Sequence, residues 1–232
     1  MSPSDLPSTH QAFLREAIRL RAKYNDRISL LIGLETDYIT STDLDETVKL
    51  VAEHQEIEYL VGSVHHVHGV SIDFDRQTWL RAVRTASKGE IGTTMILDQN
   101  GKPVTFPIDP TDEYLSQSHT PSPADLRPFL LAYFEAQYEL IKTHHPEVIG
   151  HFDLCLLWSP DINLRAEELD GVWEKVERNV SHVISYGGLF EANSAALRKG
   201  WRTSYPSRDV VQVGCTMTSF KKSLSDHESI DS

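Results

Sequence analysis

At 232 residues the chain is long enough to bury a sizeable core, as one large α/β domain. Lys and Arg total 22 against 34 Asp and Glu, a net charge of −12, which argues against a nucleic-acid backbone or an anionic membrane as partner. Its two cysteines, Cys155 and Cys215, lack paired spacing, and no apolar run approaches the roughly 20 residues needed to cross a bilayer; the expectation is a soluble, unexported cytoplasmic protein with reduced thiols.

Residues 11–24 place Phe13, Leu14, Ala17 and Ile18 on one stripe among charged residues, with Ser8 and Thr9 available as caps, which predicts an amphipathic helix. Residues 28–34 are an aliphatic run interrupted only by Ser29 and Gly33 and read as a strand covered on both faces, with Glu35 at its end. Acidic residues at Asp43, Asp45 and Glu46 suit the first turn of a helix over 42–54. A strand over 59–64 and a helix over 76–87, stopped by Gly89, follow. Residues 90–123 carry Gly, Pro, Asp and Ser with weak periodicity and read as a long loop with a short helix. Helical spacing returns over 126–143, a strand is expected at 148–154, helix at 164–186, and a short strand at 189–192 beyond Gly187-Gly188. Strands alternating with helices imply right-handed crossovers and a parallel sheet or barrel segment. The last residues, rich in Ser, Lys and Asp, read as a disordered tail.

Three apolar runs end in metal-binding side chains: Gly33-Leu34-Glu35 with Asp37, Gly62-Ser63-Val64-His65, and Gly150-His151-Phe152-Asp153. Parallel strands deliver such residues to the carboxyl edge of a sheet, where α/β enzymes assemble their sites. A carboxylate there needs a cation or a metal to offset desolvation, and imidazole is a common ligand for zinc, iron and manganese-type ions. Glu35 taken alone is equally well a helix cap or salt-bridge partner, and for Asp37 that plainer reading is preferred. His65 is favoured as a ligand by its strand-end position, whereas His66 and His68 are not. In extended backbone His151 and Asp153 would share a face, suggesting a ligand and the carboxylate that orients its ring. Arg198 can offer a planar fork to phosphate and Asn193 a hydrogen bond, although Arg198-Lys199 also reads as a solvated helix end. The remaining histidines, His10, His54, His119, His144, His145, His182 and His227, lack a strand-end context.

The ordered segments Leu31-Ile32-Gly33-Leu34-Glu35-Thr36-Asp37, Val61-Gly62-Ser63-Val64-His65-His66-Val67, Ile72-Asp73-Phe74-Asp75, Val148-Ile149-Gly150-His151-Phe152-Asp153-Leu154 and Gly187-Gly188-Leu189-Phe190-Glu191-Ala192-Asn193-Ser194 resemble motifs of the histidinol-phosphate phosphatases of the polymerase-and-histidinol-phosphatase (PHP) superfamily. The resemblance implies an α/β fold, here an incomplete, distorted (β/α)7 TIM-like barrel of the PHP type, with metals at the carboxyl ends of its strands. It implies that Glu35 bridges two metals, that His65 and His151 are ligands, and that water rather than a side chain attacks phosphorus, with the metals bearing the phosphoryl charge. The expected activity is hydrolysis of L-histidinol phosphate, a small-molecule phosphate ester, to L-histidinol and phosphate in histidine biosynthesis. The alternatives are another phosphoesterase of the superfamily or a non-catalytic remnant or isoform.

The family's opening His-x-His and closing Asp-x-His motifs have no counterpart; Ser225-Asp226-His227 has its Asp and His adjacent. The expectation is therefore a partial PHP domain over 1–214 and a divergent tail over 215–232, produced by truncation, alternative splicing or a faulty gene model. Such a chain would leave a sheet edge open, would not assemble the full trinuclear site, and would have reduced activity.

Overall fold

The computed structural model describes residues 6–89, 113–116 and 118–228. Its framework is a four-stranded parallel sheet of β1 (Gly33–Thr36), β2 (Tyr59–Gly62), β5 (Val148–Ile149) and β6 (Leu189–Phe190), adjacent in that order. A two-stranded antiparallel hairpin, β3 (His66–Val67) and β4 (Val70–Ser71), follows β2. The helices are α1 (Leu6–Tyr24), α2 (Ser41–Glu53), α3 (Arg76–Ser87), α4 (Pro123–His144), α5 (Val172–Tyr186), α6 (Ala195–Arg198) and α7 (Arg208–Glu228). Among the described residues no helix is long and apolar enough to cross a membrane.

Local chemistry explains where the helices start. Asp75 caps α3 by accepting from the Thr78 N–H at 2.7 Å. Ser122 and Asp125 form a capping box at α4, with Pro123 in the first turn, where its missing N–H costs nothing. Helices α3, α4 and α5 pack together around Trp79, Phe129, Leu130, Tyr133, Phe134, Val176 and Val180, all buried, and Ile149 and Phe152 close this core from the sheet side. The fully buried polar side chains of these helices are satisfied. Asn179 Nδ2 donates to the Phe134 carbonyl at 2.8 Å and to Gln137 Oε1 at 3.0 Å, while Gln137 Nε2 and the Tyr133 hydroxyl both reach the Phe152 carbonyl.

The strands are shorter than their apolar runs predict. Residues 28–32 precede β1, and Leu31 is 66% exposed against 3% for Ile32. The run is not covered on both faces, and the ladder of β1, an edge strand, begins only at Gly33 opposite Tyr59. Glu35 consequently lies within β1, paired with Val61, rather than beyond its end. Strand β2 stops at Gly62 because the chain then turns into the hairpin, whose tip is His68-Gly69 with φ of 50° and 74°. Two positive-φ residues are what a tight hairpin connection requires. Strand β5 stops at Ile149: His151 has φ 22°, and the chain coils through Asp153 into a 3-10 turn at Leu154–Leu156. The expected shared face of His151 and Asp153 does not form. Strand β6 likewise ends before Glu191.

Residues 208–228, which include most of the expected tail, form α7, whose Val210 and Val213 are buried and whose Met217 packs on the core. The spacing of these three residues gives the helix its inward stripe against α5. Residues 225–227 thus belong to a helix rather than a closing strand. Of the expected loop over 90–123, residues 90–112 and 117 lie outside the described residues, and Glu113–Leu115 is a single 3-10 turn.

Candidate metal centre

Parallel pairing sends β1, β2 and β5 to a common carboxyl edge, and Glu35, His65 and His151 leave the sheet there. Glu35 Oε1 lies 3.5 Å from His65 Nε2 and 3.3 Å from His151 Nε2, and the two Nε2 atoms are 3.1 Å apart. A triangle with these sides has corners about 1.9 Å from its centre, so a point just off its plane lies at the roughly 2.0–2.2 Å that zinc-type ions keep from imidazole nitrogen and carboxylate oxygen. Two imidazole nitrogens facing each other at 3.1 Å can share one proton between them at most. A cation satisfies both lone pairs and the carboxylate at once, so these three side chains fit a divalent ion. Among the described residues they are the one group of three or more His, Cys, Asp or Glu whose ligand atoms all lie within 4.8 Å of one another.

The neighbours hold this geometry. Ser63 Oγ donates to Glu35 Oε1 at 2.7 Å, and a Cβ on Gly150 would meet that same Oγ at 2.5 Å, so glycine there makes room for the hydroxyl. The His65 N–H donates to Asp37 Oδ1 at 2.9 Å, and Asp37 Oδ2 lies 2.7 Å from His66 Nδ1 and 3.6 Å from His65 Nδ1. The His151 N–H donates to Glu191 Oε2 at 3.1 Å, and Asn193 Nδ2 donates to both oxygens of Glu191 at 3.0 Å.

Hydrogen bonding to the His151 ring, outweighing partial burial and helped by Ser63, holds the Glu35 carboxyl down at about 2. Burial would push Asp37 up, but the bonds from His65 and His66 win and hold it well below the usual carboxylate range. Burial likewise opposes protonation of His65, and Asp37 overcomes it, raising the imidazole. Glu35 and Asp37 are therefore anionic at neutral pH. Asp153 differs: it is fully buried, and desolvation raises its carboxyl even though Oδ2 accepts the Ser207 N–H at 2.7 Å. Its Oδ1, like His151 Nδ1 and the Tyr205 hydroxyl, is buried with no partner among the described residues.

Of the residues singled out in the sequence, Glu35, His65 and His151 are brought together. Asp153 does not orient the His151 ring; the turn at His151 directs it to Ser207 instead. Asn193 reaches the centre only through Glu191, and both ends of its amide are engaged, since Oδ1 also accepts the Ala195 N–H at 2.8 Å. Arg198 is exposed on α6, and no hydrogen bond or ion pair joins it to the cluster among the described residues. His66 is held by Asp37, and His68 is exposed at the hairpin tip. His10, His54, His119, His144, His145 and His182 lie outside the cluster. Sequence reasoning passed over Ser63 and Glu191 as participants. Glu191 carried a signal, a carboxylate at a strand end like Glu35, which the overlong reading of β6 concealed.

The PHP domain family profile matches residues 8–195. A Schizosaccharomyces pombe protein named probable histidinol-phosphatase is 35% identical over 214 residues, covering 92% of this chain and 58% of its own length. The histidinol-phosphatase of Saccharomyces cerevisiae is 27% identical over 233 residues, covering 90% and 59%. The chain thus spans a little under three-fifths of the length of these curated relatives. A crystal structure of a candidate histidinol phosphatase from Listeria monocytogenes matches with a TM-score of 0.61 at 21% identity, over 94% of this chain and 69% of that one, a likeness of fold.

Proposed function

The chain belongs to the PHP domain family, and on that footing we propose that it is the metal-binding part of a phosphomonoesterase that hydrolyses L-histidinol phosphate to L-histidinol and phosphate. One observation carries the reading: three side chains from three adjacent parallel strands present a carboxylate oxygen and two imidazole nitrogens on a triangle of 3.1, 3.3 and 3.5 Å. The names of the two curated relatives supply the substrate.

Glu35, His65 and His151 would hold a divalent ion of the zinc, iron or manganese type. When bound, such an ion supplies Lewis acidity toward phosphoryl oxygens and lowers the pKa of water. The protein's own groups prepare for it. Glu35 stays ionised far below neutral pH, so no proton has to leave it before it can act as a ligand. Ser63 donates to Glu35 Oε1 and so holds the oxygen that faces both histidines. The Glu35 side chain is 53% exposed, so a small phosphate ester can approach the cluster from solvent. No side chain is needed as a nucleophile.

Arg198 is the proposed substrate contact, offering its guanidinium to phosphate. Asn193 would contribute through Glu191 rather than by touching substrate, because its amide is already bonded at both ends. The four parallel strands, crossover helices and carboxyl-edge cluster support the finer reading of the sheet as part of a distorted (β/α)7 barrel. The cysteines Cys155 and Cys215, neither of them in a disulfide among the described residues, and the acidic balance support a cytoplasmic enzyme acting on a small molecule rather than on nucleic acid or membrane.

The test is phosphate release from histidinol phosphate by the purified chain, with and without added zinc, iron or manganese. Release should depend on metal, should be lost with a chelator and in Glu35→Gln, and should show a raised KM in Arg198→Ala but not in Lys199→Ala. Release that survives both the chelator and Glu35→Gln would overturn the reading. Equal KM values for the two cation variants would remove Arg198 from it.

A further inference from the structure

We infer that Asp37 and Glu191 are a matched pair of positioning residues, one for each histidine of the candidate metal centre. The inference rests on the metal reading above, and it concerns residues that do not themselves join the ligand triangle. His65 and His151 both lie just beyond the ends of the two central strands, where the ladder between β2 and β5 has stopped at Gly62 and Ile149. One further bond, from the Gly150 N–H to the Gly62 carbonyl, closes the ladder at 3.0 Å. Past that point a main-chain N–H has no sheet acceptor.

In both cases a carboxylate from the neighbouring outer strand takes its place. Asp37, just past β1, accepts the His65 N–H at 2.9 Å, and Glu191, just past β6, accepts the His151 N–H at 3.1 Å. Inner strands supply the imidazoles and outer strands the carboxylates that fix their backbones. Charge-assisted bonds of this kind are roughly twice as strong as neutral ones.

Each carboxylate is itself held. Asp37 Oδ2 lies against His66 Nδ1 at 2.7 Å, and Glu191 is gripped on both oxygens by Asn193 Nδ2. The need for an anchor is clearest at His151, a non-glycine residue with φ 22°, which is a conformation that relaxes unless its surroundings hold it. Relaxation there would swing Nε2 away from the 3.1 Å approach to His65. Neither role follows from helix capping or core packing, because both carboxylates spend their bonds on the residues of the cluster and their immediate neighbours.

The experiment is titration of the metal-free chain with Co²⁺, read by its d–d absorption, and with Zn²⁺ in competition with a chromophoric chelator. The set comprises the unmodified chain, His151→Ala, Glu191→Ala, Glu191→Gln and Asp37→Asn, each with a thermal midpoint measured without metal. His151→Ala should abolish binding. Glu191→Ala and Asp37→Asn should weaken it by about 10- to 100-fold and shift the Co²⁺ bands, the expected size for loss of a group that orients a ligand. Glu191→Gln should fall between, since its amide oxygen can still accept one bond while its NH₂ opposes Asn193 Nδ2. It also serves if the alanine variant does not fold. Metal-free midpoints close to the unmodified value would separate positioning from a general structural role. Affinities within twofold and unchanged spectra in Glu191→Gln and Asp37→Asn, with binding lost in His151→Ala, would overturn the inference and leave the metal centre standing. Equal binding by His151→Ala and the unmodified chain would overturn both.

Discussion

The helical core and the carboxyl edge of the sheet meet at Phe152, and they treat fully buried polar side chains in opposite ways. On the core side Asn179, Gln137 and the Tyr133 hydroxyl are buried, and each finds a protein partner, with the Phe152 carbonyl accepting two of the bonds. On the edge side two imidazole nitrogens face each other at 3.1 Å, and Asp153 Oδ1, His151 Nδ1 and the Tyr205 hydroxyl have no partner among the described residues. Buried polar groups that serve only the fold are nearly always satisfied. The contrast teaches that the core is built for stability and the edge for something else, which is where local rules are expected to fail.

If that division is right, the largest stability loss should come from the core. Trp79 is fully buried against Phe129, and its Nε1–H donates to the Cys155 carbonyl at 3.0 Å. Trp79→Ala removes a large side chain and leaves an acceptor unpaired, at a cost of about 3–5 kcal/mol in urea unfolding. A loss below 1 kcal/mol would show that α3 and α4 are not the stabilising centre.

A smaller loss, on the same side, is expected from Asn179→Ala. The Phe134 carbonyl and Gln137 Oε1 would each lose a donor in a site that excludes water. An unsatisfied buried group costs about 1–3 kcal/mol. A neutral result in chemical unfolding would mean that this network is incidental and would weaken the contrast with the edge.

The two regions also differ in how far the sequence discloses them. Long helices are legible because an apolar stripe repeats every three or four residues: α3 runs over Arg76–Ser87 as its spacing predicts. Strand lengths are not, since hydrophobicity continues past the last ladder bond. The run over 28–34 is apolar but for Ser29, yet Leu31 is exposed and β1 begins only at Gly33, where pairing with β2 starts. The hairpin over residues 66–71 was signalled by His68-Gly69, a pair suited to positive φ, and was missed because the segment between the strand over 59–64 and the helix over 76–87 is too short and too polar to show an alternating strand pattern. Glu35, His65 and His151 were legible as side chains that end or interrupt apolar runs. Glu191 was legible only as a carboxylate near a strand end, and Ser63 not at all, because their parts consist of bonds across strands to residues 40 and 28 positions away, which local spacing does not encode. Asp153 was misassigned for a single reason: its alternation with His151 assumed extended backbone, and the chain turns there.

The smallest effect, and the sharpest test of the edge, concerns Asp153. Burial raises its carboxyl above the ordinary value near 3.9. A group raised on folding contributes stability that is fully present below its unfolded pKa and is lost as pH rises through the folded value. Glu35 and Asp37 are depressed and act in the opposite sense, stabilising above their unfolded values and losing that contribution as pH falls. The overall profile of the metal-free chain therefore mixes the two, and the informative quantity is the difference between Asp153→Asn and the unmodified chain. The asparagine oxygen can keep the Ser207 N–H, while the side chain no longer ionises in a dry site. Asp153→Asn should thus gain on the unmodified chain as pH rises above about 4, by less than Asn179→Ala loses. Urea midpoints at several pH values in the presence of a chelator measure that difference. A gap that stays constant with pH would show that Asp153 is as well satisfied as Asn179, and the edge would then be no exception to the way the core is built.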